Sequence, residues 1–155
     1  MLDKTNILAP AKINIFLKVL GKREDGFHDI RSGVTFINLY DEIQIKKSKR
    51  LNIKYMGLFK PSTGNYQDCI ILKTLKFLNL ESKINLDITI KKNIPVQGGL
   101  GSASTNAASL IKGLSNMKII EIGEIDKYVN LGSDVPSFLY EKNCLVLGKG
   151  EKLFF

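Results

Sequence analysis

Cysteine is scarce in these 155 residues. Cys69 and Cys144 stand alone and far apart, with neither metal-ligand spacing nor a disulfide framework. Both lie beside apolar residues and read as small core residues in a reducing compartment. His28 is the sole histidine, and a lone histidine is seldom diagnostic. The N-terminal MLDKTNILAPAKINIF lacks an apolar signal segment. No apolar run reaches the roughly 18 residues of a membrane span. The expectation is a cytoplasmic protein with no membrane partner. Internal repeats and low-complexity stretches are also lacking.

What is present is ordinary globular material: 44% hydrophobic and 25% charged residues, in a length suited to one domain over 1–155. The net charge of +8 favours anionic partners. Its densest run, Lys46, Lys47, Lys49 and Arg50, falls where two strands should meet. A solvated turn accounts for that run better than a nucleic-acid face does.

Periodicity gives an order of elements. Ile13, Ile15, Leu17 and Val19 alternate as on a strand, and Asp25-Gly26 marks a turn. GVTFINLYDEIQIKK reads as a strand pair or one bent strand, LNIKYMG as a strand and 61–67 as a loop. Ile71, Leu72, Leu75 and Leu78 predict a helix over 68–80, capped near Gln67–Asp68. Leu86, Ile88 and Ile90 return to the strand period. A helix is expected over 102–112, with Ala103, Ala107, Leu110 and Leu114 on one side and Gly113 as its C-terminal cap. Further helices follow near 123–130 and after Asp134, then NCLVLGKGEKLFF as a strand, a glycine turn and the start of another element. The fold class is α+β, a mixed sheet packed against helices. The apolar end, Leu153-Phe154-Phe155, reads as part of a longer chain in preference to a final edge strand.

The stretch KNIPVQGGLGSASTNAA carries the chemistry. A strand leads in, Gly98, Gly99 and Gly101 permit close backbone approach, and a helix starts at once. The first helical N–H groups lack helical partners and sit at the positive end of the dipole. Ser102, Ser104 and Thr105 add hydroxyls. That pattern suits a phosphate. It is not a P-loop, because no lysine follows the glycines. Nor is it a dinucleotide fingerprint, because Ser104 replaces the third glycine. A capped turn without ligand stays open. Lys12 could be a sheet-edge lysine, and Asp134 could merely cap a helix. Together, a lysine, an aspartate and a phosphate loop are what phosphoryl transfer requires.

PAKINIFLKVLGKREDGFH, PVQGGLGSASTNAA and LGSDVPSFL followed by GKGE resemble, in that order, the three motifs of the GHMP kinases. The resemblance implies a ribosomal protein S5 domain 2-like fold and an ATP-binding N-terminal domain over 1–155, with the family's C-terminal domain absent. It implies ATP and Mg2+ as cofactors. Pro95, Gly98, Gly99, Leu100, Gly101, Ser102, Ala103, Ser104 and Thr105 match the ATP-phosphate loop. Lys12 and Asp134 match the catalytic lysine and the aspartate that takes the substrate hydroxyl proton. The run ending in DGFH is similar to the branch that phosphorylates the 2-hydroxyl of a cytidylylated methylerythritol in isoprenoid biosynthesis. For that branch Asn14, Phe27 and His28 match substrate-binding residues. Phe27 would stack on a cytosine and His28 would read its edge. The partner implied is thus a small molecule with a cytidine diphosphate group, and the protein a monomer or homodimer. Another GHMP kinase, or a non-catalytic nucleotide- or RNA-binding fragment, is the alternative. Departures from the usual pattern are Ser102 and Ala103 for glycines, Phe27 for tyrosine and Cys69 for asparagine. If the loop holds phosphate, the side chains of Ser102 and Ala103 should point away from it.

Overall fold

The structure is a computed structural model that describes residues 2–62 and 69–155. Two long strands form its spine: β1, Lys4–Lys22, and β2, His28–Lys47. They pair antiparallel along their whole length, so GVTFINLYDEIQIKK lies within one strand. β3, Asn52–Met56, is followed by α1, Ile70–Phe77, and β4, Leu86–Lys91. β3 and β4 are parallel, which requires a crossover, and α1 lies within it. Then come α2, Ser102–Asn116, a 3-10 helix, Ile125–Asn130, and α3, Val135–Tyr140. β5, Cys144–Gly148, and β6, Lys152–Phe154, close the order.

β2 organises the sheet. Its free edge is shared: β4 takes residues 42–47 and β5 takes residues 30–34. The strand order is β3-β4-β2-β5-β6, with β1 on the other side of β2. The main core lies between this sheet and α1 and α2. Ile43 and Ile45 of β2 and Ile88 and Ile90 of β4 meet Leu75 of α1 and Leu110 and Leu114 of α2. Period-2 alternation in the strands and 3.6 periodicity in the helices supply matching apolar faces.

Several expectations need correction. Gly113 does not cap α2; it lies inside the helix, whose cap is Met117. A Cβ at 113 would come within 2.4 Å of Ile45 Cδ1, so glycine there lets the helix settle on the sheet. Ala103 is exposed and takes no part in the buried face of α2. The helix near 123–130 is a 3-10 helix beginning at Ile125. Ile13, Ile15, Leu17 and Val19 do lie on a strand, but all four stay exposed. Bulges at Asn14/Phe16 and Val19/Gly21 break the alternation there. Cys144 is buried as expected, whereas Cys69 is half-buried and caps α1 by accepting the Leu72 N–H. The cap expected at Gln67–Asp68, and the loop expected over 61–67 from residue 63 on, lie outside the described residues. The final residues do form an edge strand, β6 on β5, and Phe155 packs on Tyr140.

Candidate active site

The glycine loop leaves β4 and ends at the first residue of α2. Gln97, Gly99 and Gly101 all have positive φ, 62°, 70° and 73°. Such repeated left-handed geometry suits an anion nest, in which backbone N–H groups share one concavity. Gly101 is the N-cap of α2 and offers no side-chain cap to its first N–H groups. Glycine is required at 101 on a second count. A Cβ there would lie 2.5 Å from Phe138 Cζ and 3.1 Å from Lys12 Cγ.

On one side of Gly101 opens a pocket of about 440 Å³. Pro95, Gly98, Gly99, Leu100, Gly101, Ser102, Ala103 and Ser104 line it, as do Tyr55, Pro61, Cys69 and Ile70. Its far wall is apolar and its near wall is the loop. Asn106 also lines it, and the buried Asn106 Oδ1 has no partner among the described residues. Thr105 belongs to the same turn but not to the pocket wall. It is fully buried, its N–H is bonded to Gly101 O, and its Oγ1 has no partner among the described residues.

Lys12, which packs beside Gly101, and Asp134 do not line this pocket. Lys12 N donates to Leu100 O at 3.0 Å, which ties β1 to the loop. Lys12 lies on an edge strand, but it is buried and does not snorkel to solvent. Its Nζ lies 2.5 Å from Asn14 Oδ1 and 3.5 Å from Asp134 Oδ2. Asn14 is in turn fixed by donating to Ser32 Oγ at 2.6 Å, and that hydroxyl donates to Phe16 O. Asp134 precedes α3, yet its side chain makes no cap bond to that helix. Its carboxylate is about 30% exposed, so it meets both Lys12 and solvent. A half-open carboxylate beside a buried lysine is placed to take a proton from an incoming hydroxyl.

The third group of sequence candidates sits at the tip of the β1–β2 hairpin. Phe27 and His28 are exposed there. Phe27 is fixed by backbone bonds to Arg23 and to the Asp25 carboxylate. Lys149 Nζ lies 4.8 Å above the Phe27 ring and 3.6 Å from Asp25. The adjacent Gly150 packs on the backbone of Ser133, where a Cβ would come within 2.1 Å of Ser133 O. The β5–β6 turn therefore links the hairpin tip to the segment that carries Asp134. The structure brings Lys12, Asn14 and Asp134 into one cluster with the loop, while Phe27 and His28 stand apart from it.

Sequence reasoning missed one part of the site. Beneath the loop, Lys92 Nζ contacts both Asp41 Oδ2 and Ser102 Oγ. Lys92 and Asp41 are buried, and burial pushes Lys92 below its usual 10.5, with Asp41 opposing the shift. Parity was the available signal. Residues 86, 88 and 90 point inward, which sends 92 inward; 43 and 45 do the same for 41. Ser102 thus turns its hydroxyl to Lys92 while still lining the pocket, as Ala103 does. Among the described residues, no three His, Cys, Asp or Glu side chains gather as a metal site. No helix of the described residues is long and apolar enough to cross a membrane.

Comparison with known proteins finds relatives over most of the chain. Residues 69–142 match the family described as GHMP kinases N terminal domain. The chain is 36% identical over 152 residues to 4-diphosphocytidyl-2-C-methyl-D-erythritol kinase of Syntrophus aciditrophicus, covering 95% of this chain and 54% of that protein. It is 41% identical over 145 residues to the enzyme of the same name from Thermosipho melanesiensis, covering 91% and 51%. A crystal structure of 4-(cytidine 5'-diphospho)-2C-methyl-D-erythritol kinase superposes with TM-score 0.76 at 27% identity, over 97% of this chain and 54% of that one. A mevalonate kinase structure superposes with TM-score 0.58 at 23% identity, a likeness of fold. The chain spans about half the length of the curated relatives it matches.

Proposed function

We propose, from the premise that the chain belongs to the GHMP kinases by its N-terminal domain, that it supplies the nucleotide loop and catalytic pair of a 4-diphosphocytidyl-2-C-methyl-D-erythritol kinase. The reaction moves the γ-phosphoryl group of ATP to the 2-hydroxyl of the cytidylylated acceptor, in isoprenoid biosynthesis by the non-mevalonate route. The observation that carries this reading is the meeting of Lys12 with Asp134, with Lys12 packed beside Gly101 of the loop.

The residues divide the work. The apolar far wall takes the adenine, and the curled loop with the start of α2 takes the phosphates through backbone N–H groups. The unpartnered Asn106 Oδ1 on the pocket wall fits a ligand with its own donor groups. Mg2+, arriving with ATP, supplies neutralisation of phosphate charge. Asp134 Oδ2 receives the acceptor's hydroxyl proton as its oxygen attacks phosphorus. Lys12 faces Asp134 at 3.5 Å and, being buried, stabilises the charge that builds on the transferring group. Asn14 orients Lys12. Phe27 stacks on the cytosine and His28 reads its edge. The protein works in the cytoplasm as a monomer or homodimer.

The test is phosphoryl transfer by the polypeptide as its gene encodes it, with ATP, Mg2+ and a panel of acceptors. The cytidylylated methylerythritol is expected to react, and Asp134→Asn to slow its reaction by about a thousandfold. Preference for an acceptor without cytidine points instead to another GHMP kinase. Salt-dependent RNA binding without turnover marks a non-catalytic domain.

A further inference from the structure

The buried cluster under the glycine loop has a layout that the proposed chemistry does not use. Asp41 Oδ1 accepts the N–H groups of Asn93 at 2.7 Å and Ile94 at 2.8 Å, the residues that open the loop. Asp41 Oδ2 accepts from Lys92 Nζ, which also donates to Ser102 Oγ, the residue that closes it. One carboxylate therefore holds the loop's entry directly and its exit mainly through a lysine, with a long bond of 3.5 Å donated by Ser102 Oγ to Asp41 Oδ2. Asp41 is 0% exposed and Lys92 4%. Polar contacts at such depth are little screened by salt.

We infer that Asp41, Lys92 and Ser102 form a clamp that fixes the glycine loop in its phosphate-receiving shape before nucleotide arrives, with Ser102 as the positioning residue. The inference rests on reading the loop as a phosphate site. The physical gain is entropic. A loop with glycines at 98, 99 and 101 has much freedom to lose on closing around a ligand. Fixing its two ends beforehand removes part of that cost from binding. Ser102 is the only member that can be cut away cheaply, because Asp41 and Lys92 remain paired without it. A glycine at 102 could not make the link at all.

Amide hydrogen exchange and nucleotide binding on the full chain, wild type against Ser102→Ala, test this. In the free protein, exchange over residues 93–105 should quicken by about tenfold while β1 and β2 stay protected, the size expected for losing a hydrogen bond to a charged group. Affinity for ATP with Mg2+ should fall by about tenfold, and affinity for adenosine should not change. Unchanged exchange over 93–105 overturns the clamp, and so do equal losses for ATP and adenosine. If the wild-type chain takes up no ATP, the kinase reading falls, and the exchange result alone decides the clamp.

Discussion

The two halves of the β1–β2 ladder share strands but not neighbours. In the half nearest the chain start, Ala9, Ile43 and Ile45 are buried under α2, and the loop and Lys12 are locked to it. In the half toward the hairpin tip, Ile15, Phe16, Leu17, Val19 and Leu20 are between 47% and 70% exposed. The same residue types serve as core in one half and as surface in the other. What differs is whether a helix lies over that face. The apolar pattern of a strand states its period, not its cover.

The largest contrast lies in chemistry. Asp134→Asn should lower turnover by about a thousandfold, the loss typical of a positioned proton acceptor, with the melting temperature little changed. A comparable loss on removing an exposed residue such as Ile15 would break the contrast. Next comes packing. Ile45→Ala should cost about 3 kcal/mol, while Ile15→Ala should cost under about 0.5 kcal/mol; chemical denaturation measures both.

Two glycines sharpen the same point. Gly101 and Gly26 both have positive φ, 73° and 84°. Around Gly101 a Cβ would strike Phe138, whereas around Gly26 there is open space. Gly26→Ala should cost about 1 kcal/mol, the conformational penalty alone. Gly101→Ala should cost about 2 kcal/mol more through overpacking and weaken ATP binding as well. Equal costs would mean that surroundings do not matter at these sites.

The smallest effect is one of pH. Burial holds Lys92 below 10.5 in the folded chain, so its protonated form burdens the fold at neutral pH. That burden is lifted as pH rises through the folded value toward 10.5, where the unfolded chain binds more protons. Wild-type stability should therefore rise with pH in that alkaline window relative to Lys92→Met, measured by denaturation at matched pH.

Much of the site was legible because its parts are local. A strand, three glycines and a helix start are contiguous in sequence, and their geometry follows from torsions and dipoles. The meeting of Lys12 with Asp134 was legible only through resemblance, since nothing local brings residue 12 to residue 134. Gly113 was misread because a glycine near a helix end looks like a cap, and only the position of Ile45 shows it to be a contact. Lys92 and Asp41 were hidden beside Lys91 and Glu42, charged neighbours that do face solvent. Strand parity separates each inward charge from its outward neighbour.

The central claim is that the loop from Pro95 to Ser104 holds phosphates by its backbone. Titrating the chain with ATP and Mg2+ while following backbone amide resonances tests it most directly. The largest shifts are expected at Gly98, Gly99, Gly101, Ser102 and Ala103, with a smaller response at Lys12. Shifts confined to the basic turn at Lys46–Arg50, or none at the glycines, would contradict it.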